Sequence, residues 1–162
     1  MRLEGSCHCK AVRFTVESRH SYPFNVCYCG ICRKLNGGGG AAINLGADFD
    51  TLTVEGGENL KVYRARLEDD DTGNVSFSNA ERNFCVACGT HLWLWDSRWP
   101  DQLHPLAAVI DTPLPTPPER THLMVDFKPD WVHLSPGPDD RVHGRYPDES
   151  IAAWHDRLGL SG

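Results

Sequence analysis

The sequence predicts a mostly β protein that ends in one short helix, and three observations carry that prediction. Short segments rich in β-branched and aromatic residues recur along the chain, helical periodicity is confined to two places, and turn-forming residues separate most of the apolar runs. At 162 residues the chain is long enough for one core and short for two, so residues 1–162 are read as a single domain.

Taken in order, Ala11 to Glu17 alternates, with Val12, Phe14 and Val16 on one face and Arg13, Thr15 and Glu17 on the other. That period of two predicts a half-buried strand in an antiparallel sheet. Thr51 to Val54 and Leu60 to Tyr63 follow as strands, and Glu55 to Asn59 between them has hairpin-loop chemistry. The acidic run Glu68 to Asp71 reads as a solvated loop before further strands at Val75 to Phe77, His91 to Trp95 and Leu106 to Ile110. Pro113 to Pro118 holds four prolines and predicts an extended connector, leading to a returning strand at His122 to Phe127. A helical turn is expected around Ile31 to Leu35. The stronger helix is Ser150 to Leu158, where Ile151, Trp154, His155 and Leu158 share a face, Asp148 offers a cap and Gly159 a stop.

Composition narrows the function classes. With 40% hydrophobic and 23% charged residues the chain is ordinary for a globular protein, not for a disordered or membrane one. No apolar run approaches the roughly 20 residues of a membrane-spanning helix, and the first ten residues lack the apolar core of a secretory signal. A cytoplasmic, reducing location is the expectation. A formal charge of −6 disfavours nucleic acid and anionic membranes as partners.

The seven cysteines lie between Cys7 and Cys88, and their spacing is more informative than their number. In a reducing compartment disulfides are rare, and an odd count leaves one thiol over. Cys7 and Cys9 form C-x-C, Cys27, Cys29 and Cys32 form C-x-C-x-x-C, and Cys85 and Cys88 form C-x-x-C before Gly89. Such intervals place thiolates on neighbouring vertices of a zinc tetrahedron at about 2.3 Å. Four plus three is the natural division. The three-cysteine turn would leave a vertex for substrate, as a catalytic zinc does, and by elimination Cys7, Cys9, Cys85 and Cys88 would close a structural site that adds to folding stability. Iron could use the same thiolates, and the turn could recruit His8, His91 or another histidine and be purely structural.

Three stretches carry a family resemblance: Gly5-Ser6-Cys7-His8-Cys9-Lys10-Ala11-Val12-Arg13-Phe14, Cys27-Tyr28-Cys29-Gly30-Ile31-Cys32-Arg33-Lys34, and Arg82-Asn83-Phe84-Cys85-Val86-Ala87-Cys88-Gly89-Thr90. In order, they resemble the glutathione-dependent formaldehyde-activating enzyme (centromere protein V/Gfa) family, with a weaker continuation through Lys128-Pro129-Asp130-Trp131 and Tyr146-Pro147-Asp148-Glu149-Ser150. The resemblance implies a Mss4-like β-tent of antiparallel sheets stapled by zinc. It also implies two zinc ions, a structural one on Cys7, Cys9, Cys85 and Cys88 and a second on Cys27, Cys29 and Cys32. The implied activity is condensation of formaldehyde with glutathione, a carbon–sulfur lyase reaction. Three positions depart from the family pattern: Tyr28 where histidine is frequent, Lys10 where glycine is usual, and Gly37 to Gly40 where a bulky residue often lies.

Glutathione carries two carboxylates, so its pocket needs cations or N–H donors. Arg33 and Lys34, directly after Cys32, are the candidate substrate contacts, with the glycine run behind them and Arg82 as a further cation. Trp93, Trp95 and Trp99 could line an apolar pocket, although core packing suits the first two. Outside enzymology, the same sequence could specify a zinc-stapled binding module, or a redox or metal-handling protein with a labile three-cysteine site.

Overall fold

A computed structural model describes residues 1–36, 38–69 and 71–162; Gly37 of the glycine run and Asp70 of the acidic run lie outside the described residues. The first strands are β1 (Arg2–Ser6), β2 (Arg13–Glu17) and β3 (Asn25–Cys27), followed by helix α1 (Gly30–Asn36) and short strands β4 (Ala42–Ile43), β5 (Ala47–Asp48) and β6 (Thr53–Glu55). A long pair, β7 (Leu60–Glu68) and β8 (Val75–Cys85), precedes β9 (His91–Asp96) and β10 (Gln102–Pro105). Strands β11 (Thr121–Leu123) and β12 (Arg141–Val142) and helix α2 (Ile151–Leu158) complete the order.

The strands form three sheets, ordered β1-β2-β6, β5-β10-β9-β8-β7 and β12-β11-β3-β4. Alternation in β2 works as the sequence predicts: Phe14 and Val16 are buried while Arg13 and Glu17 are exposed. Those side chains meet Leu45, Leu92, Trp93, Leu103 and Leu106 in the main core, with Trp93 edge-on to Phe14 at 5.0 Å between centroids. The first two sheets are antiparallel, but β11 pairs in parallel with both β3 and β12. Parallel pairing needs long connections, and the chain between Cys27 and Thr121 supplies one.

Four local expectations change. Leu106 to Ile110 is not a strand but a 3₁₀ turn over Ala107–Val109; Leu106 and Val109 are buried three residues apart, a period that a strand cannot present to one face. The returning strand ends at Leu123, because Met124 adopts φ 60° and turns the chain into a 3₁₀ segment, Val125–Phe127. Glu55 to Asn59 is not a hairpin loop: β6 pairs with β2 and β7 with β8, so the segment crosses between sheets. Its Gly56 has φ 75° and lies where a Cβ would stand 1.9 Å from the Ala11 carbonyl oxygen, so only glycine fits. The cap of α2 is Ser150 rather than Asp148, with Ser150 Oγ accepting from the Ala153 N–H at 3.1 Å; Gly159 stops the helix at φ 67°.

Helix α2 anchors the strand that leads into the three-cysteine turn. Trp154 is fully buried and stacks on Phe24 at 3.8 Å and 6°, one residue before β3. Trp154→Ala removes this stack and leaves a large void. It is expected to lower unfolding stability by about 3–5 kcal/mol in a denaturant titration. A variant within about 1 kcal/mol of the parent would show that α2 is peripheral to the fold.

Candidate metal centres

The first cluster forms where two tight turns face one another. One runs from Cys7, whose N–H donates to the Val12 carbonyl while the Lys10 N–H returns to the Cys7 carbonyl, both at 3.0 Å. Lys10 sits at φ 63°, which explains physically why a glycine suits this position; here the side chain is held by Ser6 Oγ at 2.7 Å and Asp111 at 3.3 Å. The second turn follows β8, with the Gly89 N–H donating to the Cys85 carbonyl at 2.8 Å and Gly89 at φ 75°. Thr90 joins the two turns: its Oγ1 accepts from the His8 N–H at 3.2 Å and lies 3.2 Å from Cys88 Sγ.

Cys7, Cys9, Cys85 and Cys88 thereby bring their sulfur atoms within 4.8 Å of one another, with Cys7–Cys9 at 3.5 Å and Cys9–Cys85 at 3.8 Å. Thiolates on a tetrahedral zinc stand about 3.8 Å apart, so the donor set fits one such ion. The thiols compete for protons at this spacing. Thr90 and the Cys9 N–H draw Cys88 down to about 5; the Ala11 N–H favours the Cys9 thiolate, but Cys7 and Cys88 outweigh it and hold Cys9 up to about 12. A cation at the centre lets all four ionise together.

The second cluster is local. Cys27 ends β3, Cys29 precedes α1 and Cys32 lies in its first turn, with all three sulfurs within 4.8 Å. Cys29 is the hub: its Sγ accepts from the Cys32 N–H at 3.3 Å. Hydrogen bonds from Cys27 and Cys32 draw it down to about 2, while Cys27 is raised to about 11 by its bond to Cys29 and Cys32 is pushed far up by both neighbours. Three soft donors converging on one point suit zinc. Among the described residues no histidine or carboxylate joins either cluster. His91 is buried against the Trp93 carbonyl at 3.2 Å and lowered to about 4 by burial and Arg82, and His8 is exposed, so neither completes the three-thiol site.

A cavity of about 440 Å³ opens beside the second cluster, lined by Cys29, Gly30, Ile31, Lys34, Leu35, Tyr63, Ala65, Arg66, Met124 and Phe127. Of the two cations after Cys32, Lys34 lines it and Arg33 does not; Arg33 Nε is buried with no hydrogen-bond partner. Arg82 is buried, bonds the Ala80 carbonyl at 3.1 Å and does not line the cavity, although its cross-strand partner Tyr63 does. None of the three tryptophans lines it either: Trp93 is core, Trp95 packs on Phe49, and Trp99 is exposed under the Arg98 guanidinium. Gly38 and Gly40 adopt left-handed φ and do not line the cavity.

Arg66, Tyr63, Met124 and Phe127 were not singled out from the sequence as site residues. No local signal in β7 marks the first two: tyrosine is an ordinary strand residue and Arg66 is one of four charged residues in that strand, so only the sheet assigns them to the site. A second cleft of about 330 Å³ lies on the three-stranded sheet between Arg2, Glu4, Arg13, Glu55 and Asp111; its mixed charges and lack of a thiol give it no comparable chemistry.

Fold and site together define a mostly β protein carrying two thiolate clusters, each sized for one tetrahedral cation. The comparisons with known proteins are more specific. The sequence model of the glutathione-dependent formaldehyde-activating enzyme family matches residues 2–126, and the chain belongs to that family. A Halomonas elongata protein provisionally named glutathione-dependent formaldehyde-activating enzyme is 56% identical over 160 residues, covering 99% of this chain and 98% of that protein. The crystal structure of a Rhodobacter sphaeroides protein solved by structural genomics superposes with a TM-score of 0.51 at 28% identity, covering 71% of this chain and 92% of that one.

Proposed function

We propose that the protein is a zinc-dependent carbon–sulfur lyase that interconverts glutathione and formaldehyde, or a related aldehyde, with their S-hydroxyalkyl adduct. The observation that carries this reading is the three-thiol turn with no fourth protein donor among the described residues, opening on a cavity lined by the cationic side chains of Lys34 and Arg66. Zinc held by Cys27, Cys29 and Cys32 would supply the positive charge that favours thiolate over thiol in a substrate sulfur. In the reaction the substrate sulfur forms a bond to the aldehyde carbon, the carbonyl π pair moves to oxygen, and that oxygen takes up the proton the thiol released. The reverse direction breaks the same bond.

The chain's residues bind and orient the thiol. Lys34 and Arg66 provide positive charge for the two carboxylates of glutathione, while Ile31, Leu35, Tyr63, Met124 and Phe127 form apolar walls that limit access of water. Arg66 also pairs with Glu68 at 2.5 Å, but both side chains are exposed and such a pair yields readily to a substrate carboxylate. Cys7, Cys9, Cys85 and Cys88 take the structural zinc in this reading, and residues 1–162 act as one domain. Small-molecule thiol and aldehyde are its partners, and the seven free thiols suit a reducing compartment such as the cytoplasm.

The test is formation of S-hydroxymethylglutathione by two-zinc protein, followed by exchange NMR against the uncatalysed rate. Acceleration supports the lyase; none, with both zincs present, removes it in favour of a binding module. Lys34→Ala and Arg66→Ala are each expected to raise KM for glutathione about tenfold, equivalent to about 1.4 kcal/mol. Neither should change the reaction of a thiol without carboxylates, such as cysteamine. An unchanged KM for glutathione in the double variant would exclude these cations as carboxylate contacts.

A further inference from the structure

The residue between the first two cysteines of the three-thiol turn is the start of a buried side-chain chain. Tyr28 is buried, and its hydroxyl lies 3.0 Å from His122 Nδ1; the two rings stack at 5.9 Å and 28°. His122, also buried, places Nε2 3.4 Å from Asp140 Oδ2. Asp140 is fixed in turn by the Arg120 N–H at 2.7 Å on Oδ1 and the Gly137 N–H at 2.8 Å on Oδ2. Burial works against its carboxylate, yet these two donors and His122 together hold it below the usual carboxylate range.

The order of donors follows. A carboxylate accepts, so His122 presents Nε2–H to Asp140, which leaves Nδ1 as an acceptor and Tyr28 as the O–H donor. The main chain repeats the link. The Tyr28 N–H donates to the Leu123 carbonyl at 3.0 Å, and β11 pairs with β3 so that Leu123 is level with Cys27 and His122 with Val26. Tyr28 is therefore gripped at its amide and at its phenol by the same strand. Its two flanking peptides are those that aim Cys27 and Cys29, and it shares a small apolar cluster with Val26 and Val132.

We infer that His122 and Asp140 are positioning residues for the three-thiol centre: acting through Tyr28, they hold the Cys27–Tyr28–Cys29 segment in the geometry that binds metal. This rests on the reading of Cys27, Cys29 and Cys32 as a metal centre. Partners that orient a ligand set in this indirect way typically affect metal affinity by about 10–100-fold. A hydrophobic residue at position 28 could fill the space and keep the main-chain bond to Leu123, but it could not add the directed side-chain bond to His122.

The experiment is stepwise replacement of zinc by cobalt(II) in the zinc-loaded protein, read by the ligand-field bands and by competition with a chelator, on the parent, Tyr28→Phe, His122→Leu and His122→Asn. The parent should take up two cobalt ions. Tyr28→Phe and His122→Leu should weaken only one of them, by about 10–100-fold, and alter its ligand-field bands. His122→Asn, which keeps an acceptor near the Nδ1 position, should recover part of that affinity. Unchanged binding in Tyr28→Phe and His122→Leu would overturn the positioning role alone. Equal weakening of both ions would also overturn it, because the chain would then support the fold and not the centre. If the parent bound a single cobalt, with Cys29→Ser binding the same amount, the metal-centre reading would fail and this inference with it.

Discussion

Cys85→Ser is expected to abolish folding: the variant should be insoluble or, if recovered, should lack a cooperative thermal transition and carry no tightly held zinc. Cys85 is fully buried where β8 enters its turn, and its sulfur faces Cys9 across 76 residues of chain. A cation there closes a long loop between the first strands and the long β-hairpin, which is where a crosslink constrains the unfolded chain most. Structural zinc in small domains supplies about 10–16 kcal/mol, comparable with the roughly 5–15 kcal/mol of a whole domain. Serine also leaves a weak ligand beside Cys7, a buried thiol that needs the same ion. Circular dichroism, soluble yield and zinc content measure the effect together. A folded Cys85→Ser protein with a normal melting curve would show that the sheets hold without the four-thiol site.

The contrasting expectation concerns Cys29→Ser, which should fold and melt close to the parent, bind one zinc instead of two, and lose all acceleration of S-hydroxymethylglutathione formation. The physical difference is contact order. Cys27, Cys29 and Cys32 lie within one turn of chain, so their metal constrains little of the unfolded state, and the segment is already pinned by β3 and β11. The hub of the cluster is nevertheless Cys29, which accepts from the Cys32 N–H and lines the cavity. Zinc content before and after mild chelation distinguishes the sites. The three-thiol metal should leave first from the parent, because it has fewer protein ligands. An unfolded Cys29→Ser variant would contradict this division of labour, and a folded variant retaining full activity would remove the second centre from the mechanism.

Part of the site is legible in the sequence. Donor spacing is a local property: C-x-C and C-x-x-C close on tight turns whatever the rest of the chain does, so the four-plus-three grouping could be read without a structure. Alternation in Arg13 to Glu17 and the apolar stripe of α2 were equally local. Leu106 to Ile110 misled because buried apolar residues on a 3₁₀ turn and on a strand look alike over five positions. Lys34 was legible as a neighbour of Cys32, whereas the absence of Arg33 from the same cavity could not be read from adjacency along the chain.

The sequence by itself determined the chemistry available to this protein: seven thiols in chelating groups, a mostly β chain to carry them, and cations placed near one group. Tertiary structure decided what surrounds that chemistry. Tyr63 and Arg66 come from β7, Met124 and Phe127 from a turn after β11, and His122, backed by Asp140, reaches Tyr28 from 94 residues away. Pairing register between distant strands places these groups, and register is the outcome of burying all three sheets at once. Spacing along the chain carries no record of it.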